Sequence, residues 1–284
     1  MNIFYGILLG LVQGVAEFLP ISSSGHLALV ENILGATGGT DIAAMDDSAF
    51  FNIMLHLATL AAVVIAYWPD VRDMVMEFIA MVRGAVKKES LATGNIPARR
   101  LILMIIVSTL PLFVILPFHH KIEELNSIPW FIGAALLVTG LLLFIADRMP
   151  RGTKTERDMT ILDAVFIGIA QGIATIPGLS RSGTTITAGM SRGLTREFAV
   201  KFSFLMSLLS VLGAVILSLV DVIKDGVEPG IMPACLVGMV VAGVTGYLSI
   251  KLLQKLVAKG KFGGFAYYCW GVGALSIILS LILK

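Results

Sequence analysis

The sequence predicts an all-α integral membrane protein with six transmembrane helices and two re-entrant helix–loop–helix hairpins, arranged as an inverted-topology repeat. Three observations carry that expectation. Of 284 residues, 57% are hydrophobic and only 14% are charged, whereas soluble domains are about a quarter charged. Six apolar runs are long enough to cross ~30 Å of hydrocarbon at ~1.5 Å per residue. Two further apolar regions are each interrupted by a polar break, and the two breaks resemble each other.

The first element is the apolar run Ile3–Leu19. From Met1 to Val30 the only formally charged residue is Glu17. No Lys or Arg precedes the run and no small-residue cleavage pattern follows, so it reads as part of the mature fold rather than a signal peptide. The polar stretch "EFLPISSSGH" (Glu17–His26) then leads to a short arm, Leu27–Leu34, ~12 Å long as a helix. A long arm, a polar break and a short arm predict a hairpin that leaves by the face it entered. Irregular backbone at membrane depth is tolerated only where protein or a wet cavity surrounds it.

The spans follow near Phe50–Trp68, Leu101–Phe118, Trp130–Ala146, Phe202–Val220, Pro233–Ile250 and Phe265–Leu283. After the first span, Val71, Met74, Val75, Phe78, Ile79 and Val82 recur at helical spacing opposite Arg72, Asp73 and Glu77, which predicts an interfacial helix. The second interrupted region runs Ile161–Ile176, breaks, and ends in a short helix reaching Gly193. Cys235 and Cys269 lie in apolar runs and read as small buried hydrophobes, with no disulfide or metal framework.

The segments Arg72–Arg100, Arg148–Arg157, Arg192–Lys201 and Lys251–Lys261 hold 17 of the 21 Lys and Arg residues. Placing them in the cytoplasm leaves both termini extracytoplasmic, with the first hairpin entering from outside and the second from the cytoplasm. One polytopic domain spans 1–284. Within it, "GLVQGVAEFLPISSSG" (Gly10–Gly25) lies over "GIAQGIATIPGLSRSG" (Gly168–Gly183) without a gap, at a constant offset of 158. Repeat 1 covers about 1–150 and repeat 2 about 158–284. Three spans separate the copies, so they face opposite ways, and folds of that kind place their sites near the midplane where broken helices meet.

The copies differ where chemistry needs difference: Glu17 meets Thr175, Ser23 meets Arg181, and His26 meets Thr184. One loop offers a carboxylate, hydroxyls and an imidazole; the other offers a guanidinium and hydroxyls. A charged side chain at the bilayer centre costs about 2.5–3.5 kcal/mol on insertion scales, and Glu17 and Arg181 would offset each other across the repeat interface. Arg181 presents a planar fork suited to phosphate oxygens. Gly178 and Gly183 allow a tight turn beside it, and a short helix beginning near Thr184 adds a positive dipole end. Gln13, Ser22, Ser24, Ser180, Ser182, Thr184 and Thr185 complete the candidate binding set. Ser23 and His26, three residues apart at the start of a short helix, are the candidate nucleophile and base. His119 and His120 suit an interfacial setting. His56 reads as core packing, with a cavity-facing position as the alternative.

At these residues the sequence resembles a known family. "QGVAEFLPISSSGH" and "PGLSRSGTT" (Pro177–Thr185) are similar to the two signature motifs of the bacterial undecaprenyl-diphosphatase, or bacitracin-resistance, family, and the resemblance covers nearly the whole chain. It implies removal of the terminal phosphate from undecaprenyl diphosphate, yielding the lipid monophosphate that carries cell-wall precursors. It further implies roles for Glu17, Ser23, His26, Ser180, Arg181 and Thr185, and a location in the bacterial inner (plasma) membrane with the site opening to the extracytoplasmic face. The first glutamate-type position of the family is Gln13 here, which weakens any account needing two carboxylates there.

In the expected reaction Ser23 attacks the terminal phosphorus, with His26 taking its proton or protonating the leaving oxygen. Direct attack by His26 is the alternative. One arginine does not balance a diphosphate, so Mg²⁺ or Ca²⁺ is expected, bound through phosphate oxygens with help from Glu17. The expected partners are undecaprenyl diphosphate and membrane lipid. A homodimer is admitted, and nucleic acid is not expected. A transporter or lipid flippase is the rival class, because paired re-entrant hairpins are typical of transporters. Transport alone needs no nucleophile.

Overall fold

The computed structural model describes residues 3–36, 49–87, 94–225, 230–260 and 262–282. No strand occurs among them. An isolated parallel bridge joins Lys154 to Leu194.

The chain opens with a helical hairpin, α1 (Ile3–Phe18) and α2 (Ser23–Ala36), followed by α3 (Ala49–Ala66) and α4 (Trp68–Lys87). α3 and α4 meet at Tyr67 with a bend of 93°, so the amphipathic stretch expected to lie along the interface does turn away from the span before it. α5 (Ile96–Thr109) leads into the short α6 (Leu112–Ile115), a 3₁₀ turn, α7 (His119–Glu123) and a second 3₁₀ turn. α8 (Pro129–Arg148) is long. A second hairpin, α9 (Ile161–Ile173) and α10 (Arg181–Ser191), precedes α11 (Arg196–Asp225), α12 (Met232–Ala258) and α13 (Gly264–Ile282).

Among the described residues, five helices are long and apolar enough to cross a membrane, or six if the bent pair of α3 and α4 counts as one span. The chain is a multi-pass membrane protein.

Several boundaries differ from the sequence expectation: α11 begins at Arg196 rather than Phe202 and α12 runs on to Ala258 rather than Ile250, and three more differ at the breaks. The run Leu101–Phe118 is interrupted after Thr109, because Pro111 and Pro117 supply no amide to continue the ladder. The short arm of the first hairpin starts at Ser23 rather than Leu27. The short arm of the second starts at Arg181 rather than near Thr184, because the Ser180 hydroxyl caps it by accepting from the Gly183 amide at 3.0 Å. Serine is favoured at this position because its oxygen satisfies an orphan amide of the first turn.

Small residues set the packing. α1 runs parallel to α12 with Gly6, Gly10 and Gly14 against Ala234, Gly238 and Ala242, so close that a methyl at any of the three would overlap a carbonyl oxygen. Contact of this kind is how helices associate where no hydrophobic driving force separates them from lipid. α9 approaches α5 in the same way, Gly168 against Ser108, and α8 crosses α13 at Gly133 and Gly273. The largest apolar cluster centres on Phe204 of α11, met edge-on by Phe18 at 5.4 Å.

The four Lys/Arg-rich segments converge at one end of the molecule. Arg100 donates to the Met159 carbonyl at 2.7 Å, Lys201 pairs with Asp70 at 2.9 Å, and Asp163 pairs with both Lys154 and Arg192. Arg196 donates to the Asp147 carbonyl, and the Phe262 amide donates to the Asp147 carboxylate.

Candidate active site

The turns of the two hairpins meet inside the bundle. The Ser22 hydroxyl donates to the Leu179 carbonyl at 3.4 Å, and Gly25 lies against Gly178. Each turn reverses the chain by a different device. In the second, Gly178 takes φ +88°. The first has Pro20 at the corresponding place, and proline is confined to negative φ. The left-handed residue there is Ser22, at φ +72°, a conformation that costs a non-glycine residue roughly 1–3 kcal/mol. The Ser22 hydroxyl accepts from the Gly25 amide at 3.3 Å and so caps α2. Ser22→Ala keeps the backbone cost and loses the cap, and is expected to lower stability by about 1 kcal/mol in a thermal melt. Ser22→Gly relieves the backbone and should lose less.

Glu17, on the last turn of α1, is the centre of the polar cluster and only 7% exposed. One carboxylate oxygen pairs with the Arg181 guanidinium across the two hairpins. The other accepts from the Ser23 hydroxyl at 2.6 Å and from the Gln13 amide at 3.3 Å. The expected offset between Glu17 and Arg181 is therefore a direct ion pair. His56, half-buried on α3, donates from Nδ1 to the Asn52 carbonyl at 2.8 Å.

Ser23 and His26 are not joined to each other. The Ser23 hydroxyl points to Glu17, while His26 Nδ1 lies 2.8 Å from the Ser22 carbonyl and Nε2 lies 2.9 Å from the Tyr268 hydroxyl. A carbonyl only accepts, so Nδ1 carries the proton and Nε2 accepts from Tyr268. Three residues apart on α2, the two side chains share a face, yet each is taken up by another neighbour, and the group beside Ser23 comes from α1.

The other expected residues divide into those with free polar atoms and those already engaged. Buried atoms without a partner include Arg181 Nη1, Thr184 Oγ1 and Gln13 Oε1. Ser180 and Ser182 are buried with their hydroxyls 3.2 Å apart, and Gly183 caps onto Ser180. Thr185 is engaged, bonding to the Arg181 carbonyl at 2.8 Å and the Ser203 hydroxyl at 2.7 Å. The Gly178 carbonyl faces α8, where it accepts from Thr139. Ser24 is exposed, with its hydroxyl 3.4 Å from that of Ser22. Among the described residues no three His, Cys, Asp or Glu side chains gather as an ion site.

Sequence reasoning missed three supporting residues. Thr139 of α8 donates to the Gly178 carbonyl and accepts from the Ser180 amide, each at 3.1 Å, so one side chain clamps the second turn. Cys269 of α13, read as a plain hydrophobe, directs its thiol to the Pro20 carbonyl at 3.8 Å. Pro20 and Gly178 are partners at the offset of 158, so each turn is held at its equivalent carbonyl by a polar side chain of a long helix. Tyr268 is the third. A lone polar residue inside an apolar span was the available signal for Thr139, and no local pattern marks Tyr268.

Loss of one neutral hydrogen bond of this kind is worth ~0.5–1.5 kcal/mol. Tyr268→Phe is therefore expected to lower turnover about threefold to tenfold through misorientation of His26, with an unchanged melting temperature. Turnover equal to wild type would remove Tyr268 from the site.

The family described as "Bacitracin resistance protein BacA" matches residues 6–275. The chain belongs to this family. Relatives named undecaprenyl-diphosphatase extend the bacitracin-resistance likeness over full lengths. The protein of Halothermothrix orenii is 38% identical over 281 residues, 99% of either chain. That of Alkaliphilus metalliredigens is 38% identical over 99% of this chain and 100% of its own. That of Methanosphaera stadtmanae is 36% identical over the whole of both. The family match spans both hairpins and the helices that clamp them.

Proposed function

We propose that this chain hydrolyses the terminal phosphate of undecaprenyl diphosphate, giving undecaprenyl phosphate and inorganic phosphate. That activity recycles the cell-wall lipid carrier and confers bacitracin resistance. The observation that carries the site assignment is the Ser23 hydroxyl donating to Glu17, whose other oxygen is paired with Arg181.

In this reading Ser23 Oγ attacks the terminal phosphorus as its proton passes to Glu17. The bond from that phosphorus to the bridging oxygen breaks, and undecaprenyl phosphate leaves. Water then attacks the phosphoserine, with Glu17 returning the proton to Ser23. The proton acceptor is thus Glu17 rather than His26. His26, held by Ser22 and Tyr268, borders the leaving group. The free Arg181 Nη1 and Thr184 Oγ1 bind phosphate oxygens, with Ser180, Ser182 and the Gly183 amide beside them; Arg181 is suited to this by its planar fork. Arg181 also changes partners as substrate arrives, leaving Glu17 free to accept a proton.

The donor set fits a hard divalent cation in one arrangement. Gln13 Oε1, buried and without a partner, and Glu17 would be the protein's oxygen ligands, and substrate phosphates would supply the rest. When bound, Mg²⁺ or Ca²⁺ neutralises diphosphate charge.

The two halves are best explained as inverted repeats, 1–150 and 158–284. The pairing of α1 with α12 and of α9 with α5 supports this, since each hairpin's long arm packs on the other half's second long helix. Gathering of the four basic segments at one end supports a cytoplasmic assignment for that end in the inner membrane. On that assignment both termini are read as extracytoplasmic, and the family resemblance supports a site opening to that face; a homodimer is compatible with this arrangement. The test is phosphate release from undecaprenyl diphosphate by purified protein in detergent, with and without chelator. No release by the untreated protein would favour a carrier over a hydrolase, and release unaffected by chelator would remove the cation.

A further inference from the structure

α1 stops at Phe18, beside Gly246 of α12. α12 continues to Ala258, about 18 Å further at ~1.5 Å per residue. The last turns of α12 and the first turns of α13 therefore outrun α1, and the volume a full-length helix would fill stays open. It forms a groove of about 770 Å³, open along one side, roofed by Val15, Leu19 and Ile21 and walled by Leu256 and Phe265. That volume is in the range of ordinary ligand pockets, ~300–1,000 Å³.

One side chain links the groove to the candidate site. Tyr268 lines it, and the same side chain's hydroxyl meets His26 Nε2 at 2.9 Å. None of the lining residues is cationic, so the groove suits hydrocarbon and not an anionic headgroup. Its one formal charge, Asp147, is taken up by the Phe262 amide. We infer that this groove holds the isoprene units next to the diphosphate, so that the site grips its lipid by chain as well as by headgroup. The inference rests on the hydrolase reading and adds to it a binding determinant for the prenyl chain.

Gly264 lines the groove, and a Cβ built on it meets nothing within 4 Å. Gly264→Trp therefore adds an indole at the groove from a position where its Cβ meets no neighbour. The test compares kcat/KM for phosphate release from undecaprenyl diphosphate and from methyl diphosphate, which carries the headgroup with no isoprene unit, using full-length wild type, Gly264→Ala and Gly264→Trp in one detergent. Expected for Gly264→Trp is at least a tenfold loss with the long-chain substrate and less than a twofold change with the short one, with Gly264→Ala near wild type. An equal loss with both substrates, or none with either, would overturn the inference. If wild type releases no phosphate from undecaprenyl diphosphate, the hydrolase reading falls and takes this inference with it. Photocrosslinking with a diazirine on the first isoprene unit gives an independent readout. Label on Leu256 or Tyr267 is expected, competed by undecaprenyl diphosphate. Label there competed equally by bilayer phospholipid would make the groove an ordinary lipid contact and end the proposal.

Discussion

Ser23→Ala is expected to retain about one-thousandth of the wild-type rate of phosphate release or less, with little change in KM. The hydroxyl is half-buried and donates to Glu17 at 2.6 Å, so it loses its proton to a group already in place. Glu17→Gln keeps the shape of that acceptor but takes no proton. Positioned proton transfer is worth ~10²–10⁴-fold, so this variant should fall by a comparable factor. In the proposed reaction nucleophile and base act as one unit, so the double variant should be no slower than Ser23→Ala alone. Steady-state release assays on the three proteins decide it. Losses that multiply in the double variant would mean separate roles. Ser23→Ala retaining more than a tenth of the rate would return the nucleophile to His26, whose phosphorylated form could then be trapped.

Arg181→Met should damage both fold and activity, for separable reasons. The Glu17 side chain is 5% exposed and the Arg181 side chain 24%. Removing one partner of a buried pair costs ~3–5 kcal/mol because the other charge is left uncompensated. Partial exposure of Arg181 places this case toward the lower end. Glu17→Gln/Arg181→Met removes both charges and should recover most of the melting temperature lost in Arg181→Met, while releasing no phosphate. Arg181→Lys keeps the charge but not the planar fork, so it should be more stable than Arg181→Met and still bind substrate weakly. A melting temperature for Arg181→Met equal to wild type would show that the pair is not structural, and full activity in Arg181→Lys would show that a point charge suffices.

Much of the fold could be read from the chain because membrane length and helical periodicity are local properties. The apolar parts of α8, α12 and α13 needed only their hydropathy, although the polar extension of α12 from Lys251 to Ala258 did not show there, and the amphipathic stretch after Trp68 needed only its period. Boundaries set by capping were harder. Ser180 and Ser22 start their helices several residues before the apolar pattern begins, because a hydroxyl closing on an amide leaves no trace in hydrophobicity. Pro111 and Pro117 were visible, yet the apolar run across them concealed the break.

The site was legible as a set of residue types, and its wiring was not. Two loops with matched register named Glu17, Ser23, His26 and Arg181 as one group, since a polar break in an apolar run is costly unless something answers it. Spacing along α2 suggested Ser23 with His26, but partners are chosen by distance in space, and the nearest acceptor came from α1.

Composition, apolar run length and the repeated motif by themselves determined that this protein lies in a membrane, where its two polar turns fall, and which charges they carry. Only tertiary structure decided that Glu17 receives the Ser23 hydroxyl, that Thr139, Cys269 and Tyr268 hold the turns and the imidazole, and that α1 ends short of α12 and leaves a groove. Hydrophobic patterning records what each segment faces. Hydrogen-bond partners and empty volumes belong to pairs of segments far apart in the chain, and no single stretch encodes them.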